Sequence, residues 1–225
     1  MNLKQSNFKD GFTLVELLVT IAIVGLVAAL STVATQKALA AAQRTKAASG
    51  LRQLGLLTQS YVTDNDGYLP GPIYYGTPVY YNVSDNDLLT TKLLPYTGIT
   101  PARGDQLLPF LEFSGEKKIR TKLRGQRPPV WVSQSRATNS AGEQVDPLGH
   151  RLQSGSKGAP QKFAKLEKPS TTWYLQDVDL QSTNSNDVGQ QAAQSPTPWH
   201  GNVRLNLYFD GRVEARPRSE SDRPK

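Results

Sequence analysis

The sequence predicts an α+β chain: a long N-terminal helix, membrane-spanning at first and soluble beyond, whose distal half packs on an antiparallel sheet near the C-terminus. Three observations carry this. An apolar run extends from Phe12 to Leu30, 19 residues with Glu16 as its one charge; that is about 28 Å of helix at ~1.5 Å per residue, against a hydrocarbon core of ~30 Å. Ala38, Ala41, Ala42, Ala47, Ala48, Leu51, Leu54, Leu57 and Tyr61 then recur at steps of three and four, and no proline occurs before Pro70. Near the other end, Val203, Leu205, Leu207 and Phe209 alternate with Arg204, Asn206 and Tyr208 ahead of Asp210-Gly211, which is a strand with one buried face followed by a two-residue hairpin turn.

The leader, Met1 to Gly11, sets Lys4 and Lys9 against Asp10 and lacks the apolar core and small-residue cleavage site of an ordinary secretory signal. Its lysines place it in the cytoplasm and the bulk of the chain outside. Glu16 is the expensive residue of the apolar run, and an ionisable group in such a place marks a functional site. It falls in the first helical turns, where the helix dipole favours an anion.

Gly11-Phe12-Thr13-Leu14-Val15-Glu16-Leu17-Leu18-Val19 resembles the processing site of type IV prepilins and of the pseudopilins of type II secretion. The resemblance implies that a membrane prepilin peptidase cuts between Gly11 and Phe12, that Phe12 is then N-methylated, and that Glu16 becomes the fifth residue of the mature chain. A glycine before the cut lets the backbone lie in a protease cleft without a side chain. The freed amine of Phe12 stays cationic at the edge of the hydrocarbon. Glu16 of a neighbouring subunit could neutralise it and so set the stagger of a growing filament. A non-cleaved signal anchor with Glu16 reaching to the interface is the plain alternative. The chain departs from the family where pilin-like helices often carry a proline about twenty residues into the mature protein: Ser31-Thr32-Val33-Ala34 stands there, and only Gly25 weakens the helix.

Of the 225 residues, those after the membrane segment suffice for one soluble domain. The net charge of +7 becomes +6 without the leader. The absence of cysteine excludes disulfides and thiolate metal sites. The positive excess is clustered: Lys117, Lys118, Arg120, Lys122, Arg124 and Arg127 stand against Glu116, and the tail from Arg212 holds five cations and three anions. Such a patch is a solvated loop or a contact for DNA, anionic glycan or lipid head groups.

The soluble half of the helix ends at Asp64-Asn65-Asp66-Gly67, a stop-and-turn signal. Beyond it, Leu88 to Tyr96 suggests a short helix ending at Pro95, Pro128 to Val132 a brief strand, and the glycine- and serine-containing stretch Gly149 to Gly158 a mobile loop. Asp64/Asp66 and Asp85/Asp87 have the spacing of calcium loops without the remaining ligands, and surface turns account for them. Thr171 to Asp179 is rich in strand formers, and the strand after the hairpin returns through Arg212-Val213-Glu214-Ala215. Leu51, Leu54, Leu57, Leu205, Leu207 and Phe209 are expected in the core.

His200, nine intervening residues and Asp210-Gly211 resemble the C-terminal H-X9-DG signature of a large group of prepilin-type proteins. His200 could bind metal or act as a base, or bond the adjacent loop and fix the hairpin. Asp177 and Asp179 could join a calcium site at the sheet edge, as in some secretion pseudopilins, or cap the following loop; no other cofactor is expected. No nucleophile elbow, phosphate loop or paired-histidine motif occurs, so an enzyme is not expected.

The expected organisation is a cytoplasmic leader over 1–11, the membrane half of the helix over 12–34 and its soluble half over 35–66. A variable region over 67–170, a C-terminal β region over 171–216 and a tail over 217–225 complete it. The resemblance implies a pseudopilin or type IV pilin-like subunit of an inner-membrane-based filament for secretion, adhesion or uptake. Its N-terminus would be cytoplasmic and its soluble domain periplasmic or extracellular. The partners implied are the prepilin peptidase, sibling subunits, a platform membrane protein and an assembly ATPase. A minor tip subunit holding DNA or polysaccharide through the basic cluster, and a membrane-anchored envelope enzyme using His200, are the competing classes.

Overall fold

A computed structural model describes residues 13–111, 131–133, 137–150, 158–177, 179 and 198–217. The chain divides into two compact units, Met1–Ala42 and Gln43–Lys225. One helix, α1 (Leu14–Asp64), supplies most of the first unit and enters the second. In the first unit every large apolar side chain from Leu14 to Leu30 is exposed, and this stretch is long and apolar enough to cross a membrane. The helix continues unbroken through Ser31-Thr32-Val33-Ala34. There the hydroxyls of Ser31, Thr32 and Thr35 donate to the carbonyls of Val27, Ala29 and Ser31 at 2.7–2.8 Å, which satisfies these polar groups within the helix itself.

In the second unit the elements follow as β1 (Gly76–Thr77), β2 (Tyr80–Asn82), α2 (Leu89–Leu93), β3 (Asp105–Leu107), β4 (Trp131–Ser133), β5 (Ala137–Thr138), β6 (Gln144–Val145), β7 (Trp173–Asp177), β8 (Val203–Tyr208) and β9 (Val213–Pro217). The main sheet is antiparallel, in the order β1-β4-β7-β8-β9, and β2–β3 and β5–β6 form separate two-stranded ribbons. The helix stripe packs on this sheet from Ala47 onward, whereas Ala38, Ala41 and Ala42, expected in the same stripe, are exposed. Leu51, Leu54, Leu205, Leu207 and Phe209 are buried in one core with Tyr174 and Leu175, and Leu57 packs partly buried against it. Thr58 ties the layers together, its hydroxyl donating to the Leu54 carbonyl at 2.8 Å and sharing a second hydrogen bond with the Tyr174 hydroxyl at 3.2 Å. Two helix glycines mark close approaches: a Cβ on Gly50 would stand 2.5 Å from the Phe110 carbonyl, and one on Gly55 3.3 Å from Leu207 and 3.4 Å from Gly211.

The helix stops where the acidic turn predicts. Asp66 and Gly67 take positive φ (51° and 81°), and the Gly67 amide returns to the Val62 carbonyl. α2 runs on into a 3₁₀ turn at Leu94–Tyr96, which Pro95 opens rather than ends. Of the strand expected from Pro128, β4 is described; Pro128 to Val130 and the cationic cluster from Lys117 to Arg127 lie outside the described residues.

Two expectations are corrected. β8 is buried on both faces: Arg204, Asn206 and Tyr208 are 3%, 2% and 1% exposed. The second face is closed by polar partners, since Asp179 covers Arg204 and the Arg212 guanidinium lies 4.1 Å from the Tyr208 ring centroid. The hairpin loop has three residues rather than two. Tyr208 donates its amide to Arg212, Gly211 donates to Tyr208, and Gly211 sits at φ 86°, a type I turn closed by a left-handed glycine. Phe209 leaves the strand because its ring turns into the core and stacks on Tyr174 at 4.9 Å. At the ends of the Gly149–Gly158 stretch, read from the sequence as a mobile loop, Gly158 donates to the His150 carbonyl at 3.2 Å and a Cβ on Gly149 would meet Ala159 at 2.5 Å. Residues 151–157 lie outside the described residues.

Candidate functional site

Two places gather the residues that the sequence marks: the start of α1 and the base of the β7–β8 connection. Gly11 and Phe12 lie outside the described residues, which begin at Thr13. Immediately after them the helix opens with a reciprocal cap. The Thr13 amide and hydroxyl each donate to Glu16 Oε2 at 2.9 Å, and the Glu16 amide donates back to Thr13 Oγ1 at 3.3 Å. This is a capping box, in which one carboxylate and one hydroxyl satisfy amides that the first helical turn leaves without partners. The Thr-x-x-Glu spacing was present in the sequence as its signal, hidden inside the motif that draws attention to Glu16 alone.

At the C-terminal site, β7 delivers Asp177 and the turn after Trp199 delivers His200. His200 Nε2 lies 3.6 Å from Asp177 Oδ2, with side chains 3% and 1% exposed. Asp177 Oδ2 accepts the Leu205 amide at 2.7 Å, an extra bond from strand β8. Two residues on, Asp179 accepts from Arg204 Nε at 2.9 Å and from its NH2 at 3.3 Å, with both side chains buried. Asp177 and Asp179, which could have joined a calcium site or capped the following loop, are both engaged by the adjoining strand, and among the described residues no group of three or more His, Cys, Asp or Glu is gathered to hold a metal. Asp210 and Gly211 form the hairpin turn, with Asp210 Oδ1 accepting the Arg212 amide at 3.0 Å. The signature residues therefore serve two adjoining structures, the base of the β7–β8 connection and the β8–β9 turn.

Burial, reinforced by the charge of Arg44 on α1, pushes the His200 imidazole down to about 4. The Asp177 oxygen facing it is committed to an amide and stands beyond hydrogen-bond reach, so the neutral ring prevails. The folded pKa is below the unfolded value of about 6.5. The resulting stability is fully present above pH 6.5 and is lost as pH falls towards 4, by up to about 3 kcal/mol. Urea melts at pH 7 and pH 4.5 should show this loss, and His200→Gln should flatten it; an unchanged pH slope in that variant would place the titration elsewhere.

A third cluster was not legible beforehand. Asp146 accepts the amides of Leu148, Gly149 and His150 at 2.8–3.2 Å and pairs with His150 Nδ1 at 2.8 Å. The His150 ring stacks on Tyr75 at 4.2 Å, nearly parallel. Burial raises the Asp146 carboxyl, but the hydrogen bond and charge of His150 and the amides outweigh it and leave the group below its ordinary value. Its stability contribution is lost only at still lower pH than that of His200. The Asp-Pro-x-Gly run predicts a turn, and the ring that closes it comes from Tyr75, far away in sequence.

Residues 7–32 match the prokaryotic N-terminal methylation motif, the prepilin-type cleavage site. Neither a curated protein nor a solved structure matches the chain. The matched segment ends inside α1, and the His200–Gly211 signature is not part of it. With the exposed apolar helix, the motif fits a membrane-anchored, pilin-like subunit that is processed at its N-terminus, and it points to a structural role rather than an enzymatic one. It implies a prepilin peptidase and other pilins as partners. The fold, a long N-terminal helix with a C-terminal antiparallel sheet, fits the same class.

Proposed function

We propose that this chain is a pseudopilin or type IV pilin-like structural subunit, cut after Gly11, methylated on Phe12 and assembled into an inner-membrane-based filament. The observation that supports it best is the methylation motif at residues 7–32, which takes in the capped start of α1 and its exposed apolar stretch to Leu30. Before assembly the leader faces the cytoplasm and the domain beyond the helix lies on the far side of the inner membrane. A platform protein and a cytoplasmic ATPase supply the force that draws α1 from the bilayer. Glu16 meets the Phe12 amine of a neighbouring subunit, and the soluble domain from Gln43 onward sets what the filament presents.

The test is the mass of the protein extracted from membranes of its native host. A mature chain that begins at a methylated Phe12 is the expected result. A chain that retains Met1 to Gly11 in cells with an active prepilin peptidase overturns the assignment.

A further inference from the structure

Between Glu16 and Asp64 the chain carries Lys37, Arg44, Lys46 and Arg52 and not one carboxylate. A helix of one sign over that length finds no compensation along its own surface. Within the second unit, Arg44 and Arg52 flank a groove of about 160 Å³ between α1 and the edge of the sheet, floored by Ala48, Leu205, Val213 and Ala215. The two arginines are exposed and, among the described residues, pair with no carboxylate. The nearest acid on β9, Glu214, alternates to the opposite face from Val213 and Ala215 and is held there by Arg212 and Arg216 at 2.9 and 3.4 Å. Among the described residues β9 is the last strand of the sheet, and the groove lies beside it.

From this geometry we infer that the groove receives an acidic helical segment of a sibling subunit that is not a copy of this chain, which deepens the filament-subunit reading and rests on it. Eight residues separate the arginines, about 12 Å along the helix; a partner helix with carboxylates two turns apart matches them. A cavity near 150 Å³ holds a ring the size of benzene, so the groove between them takes one or two small apolar side chains and no more. A second copy laying its own α1 there would set Arg44, Lys46 and Arg52 against the same three cations, and like charges in contact are strongly disfavoured. The subunit is thereby suited to stand among non-identical neighbours rather than to repeat along a filament of its own.

The probe is a 20-residue amphipathic peptide with two glutamates eight residues apart around an alanine, paired with a counterpart carrying lysines there. With the purified full chain in detergent micelles, the glutamate peptide should bind, weaken as salt rises, and bind at least about tenfold more weakly to the Arg44→Glu/Arg52→Glu variant. The milder Arg44→Gln/Arg52→Gln variant should lose affinity in the same direction, which guards against a folding defect. Equal binding of the two peptides, or glutamate binding indifferent to both variants, overturns the inference. In membranes, Ala48→Cys introduces the chain's one thiol on the groove floor; a disulfide between two copies of the chain would make a second copy the occupant and likewise overturn it. The N-terminal mass reports separately on the parent reading: an unprocessed chain that still binds the glutamate peptide removes the filament role and leaves the groove.

Discussion

Replacing Arg204 by alanine should cost the fold about 3–5 kcal/mol, the range for removing one partner of a buried ion pair. Arg204 Nε lies 2.9 Å from Asp179 Oδ2, and the two side chains are 4% and 0% exposed. Without the guanidinium, Asp179 keeps its burial and loses the two donors that Arg204 supplies, and that loss dominates the effect. A domain stable by ~5–15 kcal/mol would lose much of its margin. Arg204→Met with Asp179→Leu should recover most of the loss, because two apolar side chains need no partners in the same space. Urea denaturation of the full chain, followed by the fluorescence of Trp173 and Trp199, checks both. If Arg204→Ala unfolds within 1 kcal/mol of the parent, water reaches the pair and the argument fails.

That pair also shows where sequence reasoning stops. α1 was legible because its evidence is local: apolar side chains at helical steps, no proline, and a stop signal at Asp64-Asn65-Asp66-Gly67. The β8–β9 hairpin was legible for the same reason, although its loop has three residues where two were expected. Alternation along β8 then misled, since Arg204, Asn206 and Tyr208 read as a solvent face. Their cover comes from Asp179, 25 residues earlier in the chain, and from the Arg212 side chain folding back. Phe209 read as the last inward strand residue; it is inward, but from the loop, because the Tyr174 ring offers it a stacking partner. β1 and β4 have two and three residues each and pair across more than fifty positions, too short to show a period and too distant to show a turn. At the functional end, Gly11, Phe12 and Glu16 form a linear motif and were readable as one. The Thr13 cap was readable too, but its meaning depends on seeing both partners close the ring.

The cap changes what a substitution at Glu16 can teach. The carboxylate has an intrachain role, holding the Thr13 amide and hydroxyl, and in the proposed filament an interchain one, meeting the Phe12 amine of a neighbour. Glu16→Gln separates them. Glutamine serves in a capping box as glutamate does, so the helix start survives while the charge goes. Glu16→Val removes both. Neither lies at the scissile bond, so both proteins should be processed and appear in the membrane with the mature mass. Gly11→Val should differ from both: a branched side chain beside the cut keeps the precursor whole, leader attached, and no mature form accumulates. If charge pairing drives assembly, Glu16→Gln should enter filaments as poorly as Glu16→Val when each competes with the parent chain. The deficit should be large, because an amine left unpaired in lipid is opposed at every addition step. Incorporation of the glutamine variant at the parent level, with the valine variant excluded, would assign the residue to the helix cap and leave the Phe12 amine to some other acceptor.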